Sequence, residues 1–310
     1  MINAEKKFVP VMITPYDEAG NIDFDGLTNL TEYYIAAGAR GLFANCLSSE
    51  MYMLTPAERI AITKHVVRIA NGRVPVVATG SFDRDISQMS EFIKTIYDTG
   101  IKSVILSSCM LADESEGDDV FQQRFETILN KTDDITFGFY ECPVPYKRVV
   151  SADLLKHLLS SNRVSYFKDT SLDINLVREK LKVGASYNFG LFDAYMVHAV
   201  ESLSAGSAGL SCIQGNYFPE LIVWLCANYD NPDLREKVEN VQAFFRDHMD
   251  IMHRFYPTTA KEVLRQRGLN ISSFSRIQAN PMTAEDRNKL ANLLAAYYKL
   301  EEELMLCAVV

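Results

Sequence analysis

Strand-like apolar runs alternate with amphipathic helices eight times over roughly the first 230 residues, and no other feature of the chain restricts its fold so severely. Residues 8–14 (FVPVMIT) read as the first strand, closed by Pro15, with a turn at 17–21 and Asp23 as an N-cap. Leu27, Leu30, Tyr33, Tyr34 and Ala37 then recur at helical spacing until Gly38. Residues 41–45 form the second strand, and Thr55-Pro56-Ala57-Glu58 opens the next helix with a capping box and proline at its first position. Further strands are predicted at 75–79, 103–106, 135–140, 164–168, 187–190 and 207–211, each followed by a helix.

Such alternation makes a parallel sheet, and eight units are the count that closes a (β/α)8 TIM barrel. A doubly wound open sheet competes, but the chain has no GxGxxG turn to mark a dinucleotide site. Beyond the barrel, residues 231–310 are helical only. Leu234, Val238, Val241 and Phe245 share one face, Pro257 breaks the pattern, a helix runs to Arg267, and a last one starts at Thr283. The expected organisation is a catalytic barrel over 1–230 with a three-helix extension over 231–310 packed on it.

Composition removes several functions. A net charge of −9 without any Lys/Arg cluster argues against a nucleic-acid partner. No apolar run approaches the roughly 20 residues of a membrane helix. The opening MINAEKKFVPVMITP lacks the apolar core and cleavage site of a signal peptide, which points to the cytoplasm. The six cysteines include no CxxC pair and suit free thiols in a reducing compartment.

Within this frame the stretch Val164-Ser165-Tyr166-Phe167-Lys168 stands out, a buried-looking strand that ends on a lysine. Burial disfavours the ammonium form, and a neutral amine is a nucleophile towards carbonyls. The alternative is a lysine that has cleared the strand and pairs with Asp169 in solvent. In a barrel enzyme the active site lies at the C-terminal strand ends. There Lys168 would meet Tyr140 from the preceding strand, the segment 45–50 after strand two, and Ser211-Cys212 after strand eight. Tyr140 alone reads equally as an aromatic that closes the barrel. Together, a lysine and a tyrosine at adjacent strand ends supply the nucleophile and proton shuttle of imine formation.

At these residues the chain resembles the dihydrodipicolinate synthase / N-acetylneuraminate lyase family of pyruvate-dependent class I aldolases. The resemblance spans essentially the whole length. It is carried by VPVMITPYDEAGNID, LTPAER, Tyr140-Glu141-Cys142-Pro143 (Tyr-x-x-Pro), Lys168, residues 206–211 (Gly-x-x-Gly-x-Ser) and residues 257–261 (Pro-x-x-x-Lys). It implies a Schiff base between Lys168 and the keto carbon of pyruvate or another 2-oxo acid, with proton relay by Tyr140. An aldehyde would be the second partner, no metal or organic cofactor would be needed, and the chain would assemble as a homotetramer or homodimer. Substrate contacts would fall to Ser48, Ser49, Thr170 and Ser211, with Glu50 as structural support.

Departures from the family matter as much. Its carboxylate loop, Gly-Thr/Ser-Thr-Gly-Glu, is here Cys46-Leu47-Ser48-Ser49-Glu50. The synthases' relay tyrosine after strand four is absent from 107–111. Their arginine five residues beyond the strand-five tyrosine is Pro145, with Arg148 as a nearby substitute. Thr170 matches the sialic-acid lyase branch, but the acidic pair after strand seven is reduced to Asp193-Ala194. The expectation is therefore a Schiff-base lyase or aldolase of unspecified aldehyde. The synthase of lysine biosynthesis is the first alternative and a degenerate 2-oxo-acid-binding protein the second. Cys46, Cys109, Cys142 and Cys212 each fall near a strand end and read as small apolar fillers or reactive thiols, or less simply as a zinc site. The five histidines lie mostly on helices and receive no catalytic role.

Overall fold

A computed structural model describes residues 5–277 and 281–306, so Cys307 and both extreme ends fall outside the described residues. Eight parallel strands follow one another round a single sheet: β1 Lys7–Phe8, β2 Leu42–Asn45, β3 Val76–Thr79, β4 Ser103–Ser107, β5 Phe137–Tyr140, β6 Val164–Asp169, β7 Gly190–Asp193 and β8 Gly209–Leu210. β1 pairs with β8, and a parallel bridge from Val11 to Phe43 closes the ring onto β2. The predicted TIM barrel is the fold observed.

Between the strands run α1 Phe24–Ala36, α2 Pro56–Ala70, α3 Ile86–Tyr97, the single turn α4 Ser108–Leu111, α5 Asp118–Lys131, α6 Ala152–Ser160, α7 Ile174–Gly184, α8 Ala199–Ala205 and α9 Pro219–Asn228. The capping box read at Thr55 is present: Thr55 Oγ1 accepts from Glu58 N at 3.2 Å, and Thr55 N donates to Glu58 Oε2 at 2.8 Å.

Strands five and eight are shorter than read, at Phe137–Tyr140 and Gly209–Leu210, and strands one and seven depart for identifiable reasons. The first ladder stops at Phe8 because Pro10 has no N–H to donate, and the extended chain resumes pairing through Met12 N to Phe43 O at 3.0 Å. Strand seven lies at Gly190–Asp193, three residues later than read. Its apolar run continues through Leu191 and Phe192, and Asp193 ends the strand rather than starting a helix. The Asp193 carboxylate accepts from Tyr195 N at 2.9 Å and sits 3.0 Å from His198 Nε2. At Gly209 β1 passes so close that a Cβ would lie 1.7 Å from Lys7 O.

Among the described residues the extension has four α-helices rather than three, after a 3-10 turn at Pro232–Leu234: α10 Arg235–Asp247, α11 Met249–His253, α12 Thr258–Gln266 and α13 Ala284–Leu304. The extra break falls at His248. Its packing against the barrel centres on Arg267, whose guanidinium donates to Tyr33 OH, Tyr217 O, Glu220 Oε1 and Tyr297 OH at 2.7–2.9 Å. Phe245, Val263 and Leu293 belong to the same continuous core as the barrel residues. Among the described residues no helix is long and apolar enough to cross a membrane.

Candidate active site

Register places the two central side chains together. Tyr140 on β5 is paired with Lys168 on β6, so both point to the same face of the sheet, which is the barrel interior. Lys168 Nζ lies 4.3 Å from the Tyr140 ring centroid, and the side chain is only 3% exposed. Beneath them Phe43, Tyr166 and Phe192 fill the barrel, with Tyr166 stacked on Phe192 at 4.8 Å. Burial in this aromatic and thiol-lined setting lowers the amine below its ordinary range. The groups that act on its charge are Cys46, Cys142 and Cys212, and no carboxylate is among them.

Asp169 does not pair with Lys168. The next residue along a strand faces the other way, so Asp169 points out of the barrel towards α7. There Lys180 Nζ bridges Asp169 Oδ2 and Glu141 Oε1, both at 2.6 Å. The remaining carboxylate contacts are filled by Val150 N and Thr170 N on Glu141 and by the hydroxyl of Ser171 on Asp169. Burial and the neighbouring Asp169 raise Glu141 to about 7. Burial opposes the Lys180 charge, but the two carboxylates outweigh it and its pKa ends above the ordinary value. The strand ends that carry Tyr140 and Lys168 are thus clamped from behind.

A cavity of about 650 Å³ opens above Lys168, lined by Tyr140, Ser48 and Thr170 together with apolar Leu47, Leu172 and Ile213. Ser48 and Thr170 therefore stand where the sequence suggested, although the Thr170 hydroxyl already donates to Glu141 O at 2.6 Å. Ser49 and Ser211 do not line the cavity. The Ser49 hydroxyl donates to Met12 O at 2.6 Å and closes the 46–49 turn by accepting from Cys46 N at 3.1 Å. The Ser211 hydroxyl donates to Val9 O at 2.8 Å and accepts from Tyr166 at 3.2 Å, inside the barrel. In this geometry both hydroxyls hold backbone and neither faces the cavity where substrate contact was expected.

Glu50 ends the loop in a left-handed conformation (φ 59°) and is fully committed to support. It accepts from Lys261 Nζ at 2.8 Å, Ser275 Oγ at 2.8 Å, Arg276 N at 2.7 Å and Ile277 N at 3.0 Å. Left-handed backbone, which glycine supplies freely elsewhere, is here stabilised by four hydrogen bonds.

Arg148 is not available to a substrate. Its guanidinium is bound to Asp118 Oδ1 at 2.8 Å and Glu116 O at 2.9 Å, away from the cavity. Besides Lys168 and His253, the cavity wall carries the basic side chain of Lys147. Sequence reading also missed Tyr195, Gln214, His253 and Tyr256, all of which line the cavity. Tyr256 accepts from Asn216 Nδ2 at 2.5 Å and is a hydrogen-bonding neighbour of Ser48. Its position directly before the recognised Pro257 was the available signal. Gln214 Oε1 is buried without a partner. Cys46, Cys109, Cys142 and Cys212 are buried free thiols, and no group of three or more His, Cys, Asp or Glu able to hold a metal occurs among the described residues.

A closed eight-stranded barrel with a buried, carboxylate-free lysine beside a tyrosine at its active end defines an enzyme of the carbon–carbon lyase class. The sequence matches the profile of the Dihydrodipicolinate synthetase family over residues 4–297, and the chain belongs to that family. It is 24% identical over 289 residues to the 4-hydroxy-tetrahydrodipicolinate synthase of Bacillus subtilis (strain 168), covering 92% of this chain and 96% of that one. The crystal structure of a dihydrodipicolinate synthase from Bacillus anthracis superposes with a TM-score of 0.84 at 22% identity, over 95% of this chain and 99% of that one. YagE, an Escherichia coli K12 prophage protein solved with pyruvate, superposes at 0.82 with 21% identity, over 97% and 99% of the two chains.

Proposed function

We infer that the protein makes or breaks a carbon–carbon bond next to the keto group of pyruvate or a related 2-oxo acid, through an imine on Lys168. The observation that carries this is the buried Lys168 amine, 4.3 Å from the Tyr140 ring and free of any carboxylate partner. Burial favours the neutral form of the amine, which attacks the keto carbon, and Tyr140 protonates the carbonyl oxygen as it becomes hydroxyl and then water. The protonated imine draws electrons from the adjacent carbon, so loss of a proton or of an aldehyde from that carbon leaves an enamine, and in the condensing direction the enamine adds to an aldehyde. The substrate carboxylate fits the 47–49 turn, where Ser48 offers a hydroxyl to the cavity. We place the enzyme in the cytoplasm as a homotetramer or homodimer, in keeping with the family.

A second reading is the synthase activity borne by the curated relatives. Lys147 favours it, as an exposed ammonium on the cavity wall suited to an acid group on the second substrate. Incubation with pyruvate, borohydride reduction and mass spectrometry test the imine. A stable adduct on Lys168 that is absent in Lys168→Arg is the expected result. No adduct with any of a panel of 2-oxo acids overturns the aldolase reading and leaves a binding protein. Aspartate semialdehyde turned over by wild type, with KM raised in Lys147→Ala, would select the synthase.

A further inference from the structure

We propose that the aldehyde partner of the Lys168 enamine carries an uncharged apolar body, a branched alkyl chain or an aromatic ring, rather than hydroxyls or an amino acid head. The proposal rests on the imine reading above and names the substrate class of that same site.

Burial sorts the cavity lining into three levels. The deepest, Pro257 apart, is polar or reactive: Ser48, Tyr140, Lys168 and Gln214 are all buried. This is the end where the 2-oxo acid is held. The half-buried level, on the path from the amine to solvent, carries Leu47, Ala194, Ile213 and Met249. Thr170, Tyr195 and Tyr256 share that level, but their polar groups are mostly spent on the protein. Thr170 gives its hydroxyl proton to Glu141 O at 2.6 Å and its N–H to Glu141 Oε2 at 2.8 Å. Tyr256 OH is engaged by Asn216 Nδ2 and Ser48, and the Tyr195 ring packs edge-on against His198. A polyhydroxylated aldehyde would set its hydroxyls against leucine, isoleucine and methionine, losing water without gaining partners. The charged members of the lining, Lys147, Asp250 and His253, are exposed and stand at the mouth.

Leu172 points the same way independently. It lies on the cavity rim, 52% exposed, with φ at 64°, the left-handed region that a bulky side chain rarely takes. Its turn is fixed on both sides. Ser171 N and Oγ donate to Asp169 Oδ1 at 2.8 and 2.6 Å, and Asp173 caps α7 by accepting from Asn175 N at 2.8 Å. Glycine or asparagine would adopt this backbone at less cost, and a polar side chain would suit the exposure. A strained, exposed leucine at the entrance is accounted for by an apolar guest that covers it.

The atoms balance. Lys168 and pyruvate form the protonated imine with release of water, and the methyl carbon gives up a proton to leave the enamine. That carbon attacks the aldehyde carbon, the new C–C bond forms, and the carbonyl electron pair moves to oxygen, which takes up a proton in place of the one lost. Water then hydrolyses the imine, freeing Lys168 and a 4-hydroxy-2-oxo acid whose fourth carbon bears the apolar group. Pyruvate and aldehyde are joined with nothing oxidised or reduced, and cleavage is the reverse.

The test gives the purified protein excess pyruvate with 2-methylpropanal, benzaldehyde, glyceraldehyde or aspartate semialdehyde, and quantifies the products by mass spectrometry. Borohydride trapping with pyruvate alone counts competent Lys168 in parallel. The kcat/KM for the two apolar aldehydes should exceed that for the two polar ones by at least about tenfold, the low end of what one methylene is worth in an apolar pocket. Leu172→Asn, which suits left-handed backbone and so keeps the turn, should lower that ratio by about tenfold. An adduct on Lys168 with the polar aldehydes used as well as the apolar pair, or with no aldehyde used, overturns the proposal and leaves the imine reading standing, even if the variant does not fold. An unchanged ratio in a folded Leu172→Asn overturns the part given to the rim. Absence of any adduct on Lys168 overturns the imine reading and the proposal with it.

Discussion

Lys168 and Asp169 are adjacent in sequence yet sit in opposite environments, one facing the aromatic interior and the other a buried ion cluster. Strand alternation separates them, so the amine loses the partner that would keep it charged. Tyr140 and Glu141 repeat the arrangement one strand earlier. Replacing Tyr140 by phenylalanine should keep the fold and lower turnover by about 10²–10⁴-fold, the usual worth of a positioned proton donor, with trapping of the adduct slowed in stopped-time assays. Lys180→Met should leave Glu141 and Asp169 as two uncompensated buried carboxylates. Loss of one member of a buried pair costs about 3–5 kcal/mol, visible as a lower urea midpoint. The juxtaposition of Lys168 and Tyr140 was legible because a lysine ending an apolar run is rare and its neighbour lay one unit upstream. The cluster with Lys180 was not. Nothing at 141, 169 or 180 signals pairing until the strands are aligned, since Lys180 reads as one more polar residue on a surface helix.

At the scale of elements, the loop after β2 depends on the segment after α12. Arg276 donates to both oxygens of Glu58 at 2.6 and 3.0 Å, while Glu50 accepts the backbone of Arg276 and Ile277. The Arg276 hydrogen bond holds Glu58 at about 2, well under its ordinary 4.5. A depressed folded-state pKa stabilises above the unfolded value and is lost as pH falls through the folded one. This tether should therefore weaken between about pH 4.5 and 2, seen as faster proteolysis or hydrogen exchange in residues 270–277. Glu58→Gln should remove that pH dependence while the barrel stays folded. Element order was readable from periodicity, but exact ends were not where proline or glycine decided them. Pro10 cut β1 short, and Gly190 was taken as a terminator when it begins β7.

For the whole molecule, eight βα units and a helical tail were legible from alternation alone, because closure of a barrel follows from the count. The cavity was only half legible. The strand ends could be enumerated, but the contributions of Tyr256, His253 and Ile277 come from the extension, whose docking no local pattern encodes. Tyr256→Phe should leave strand and helix content near native by circular dichroism yet lower the yield of borohydride-trapped adduct, since the hydroxyl that neighbours Ser48 is lost.

The Glu50–Lys261 contact joins positions 211 residues apart. On a ribosome the substrate loop is made early and its support emerges late, after every strand of the barrel has been synthesised. Lys168 and Tyr140 are therefore synthesised before Tyr256 and Ile277, which complete the cavity around them. The complete cavity lining is thus a property that only the nearly finished chain acquires.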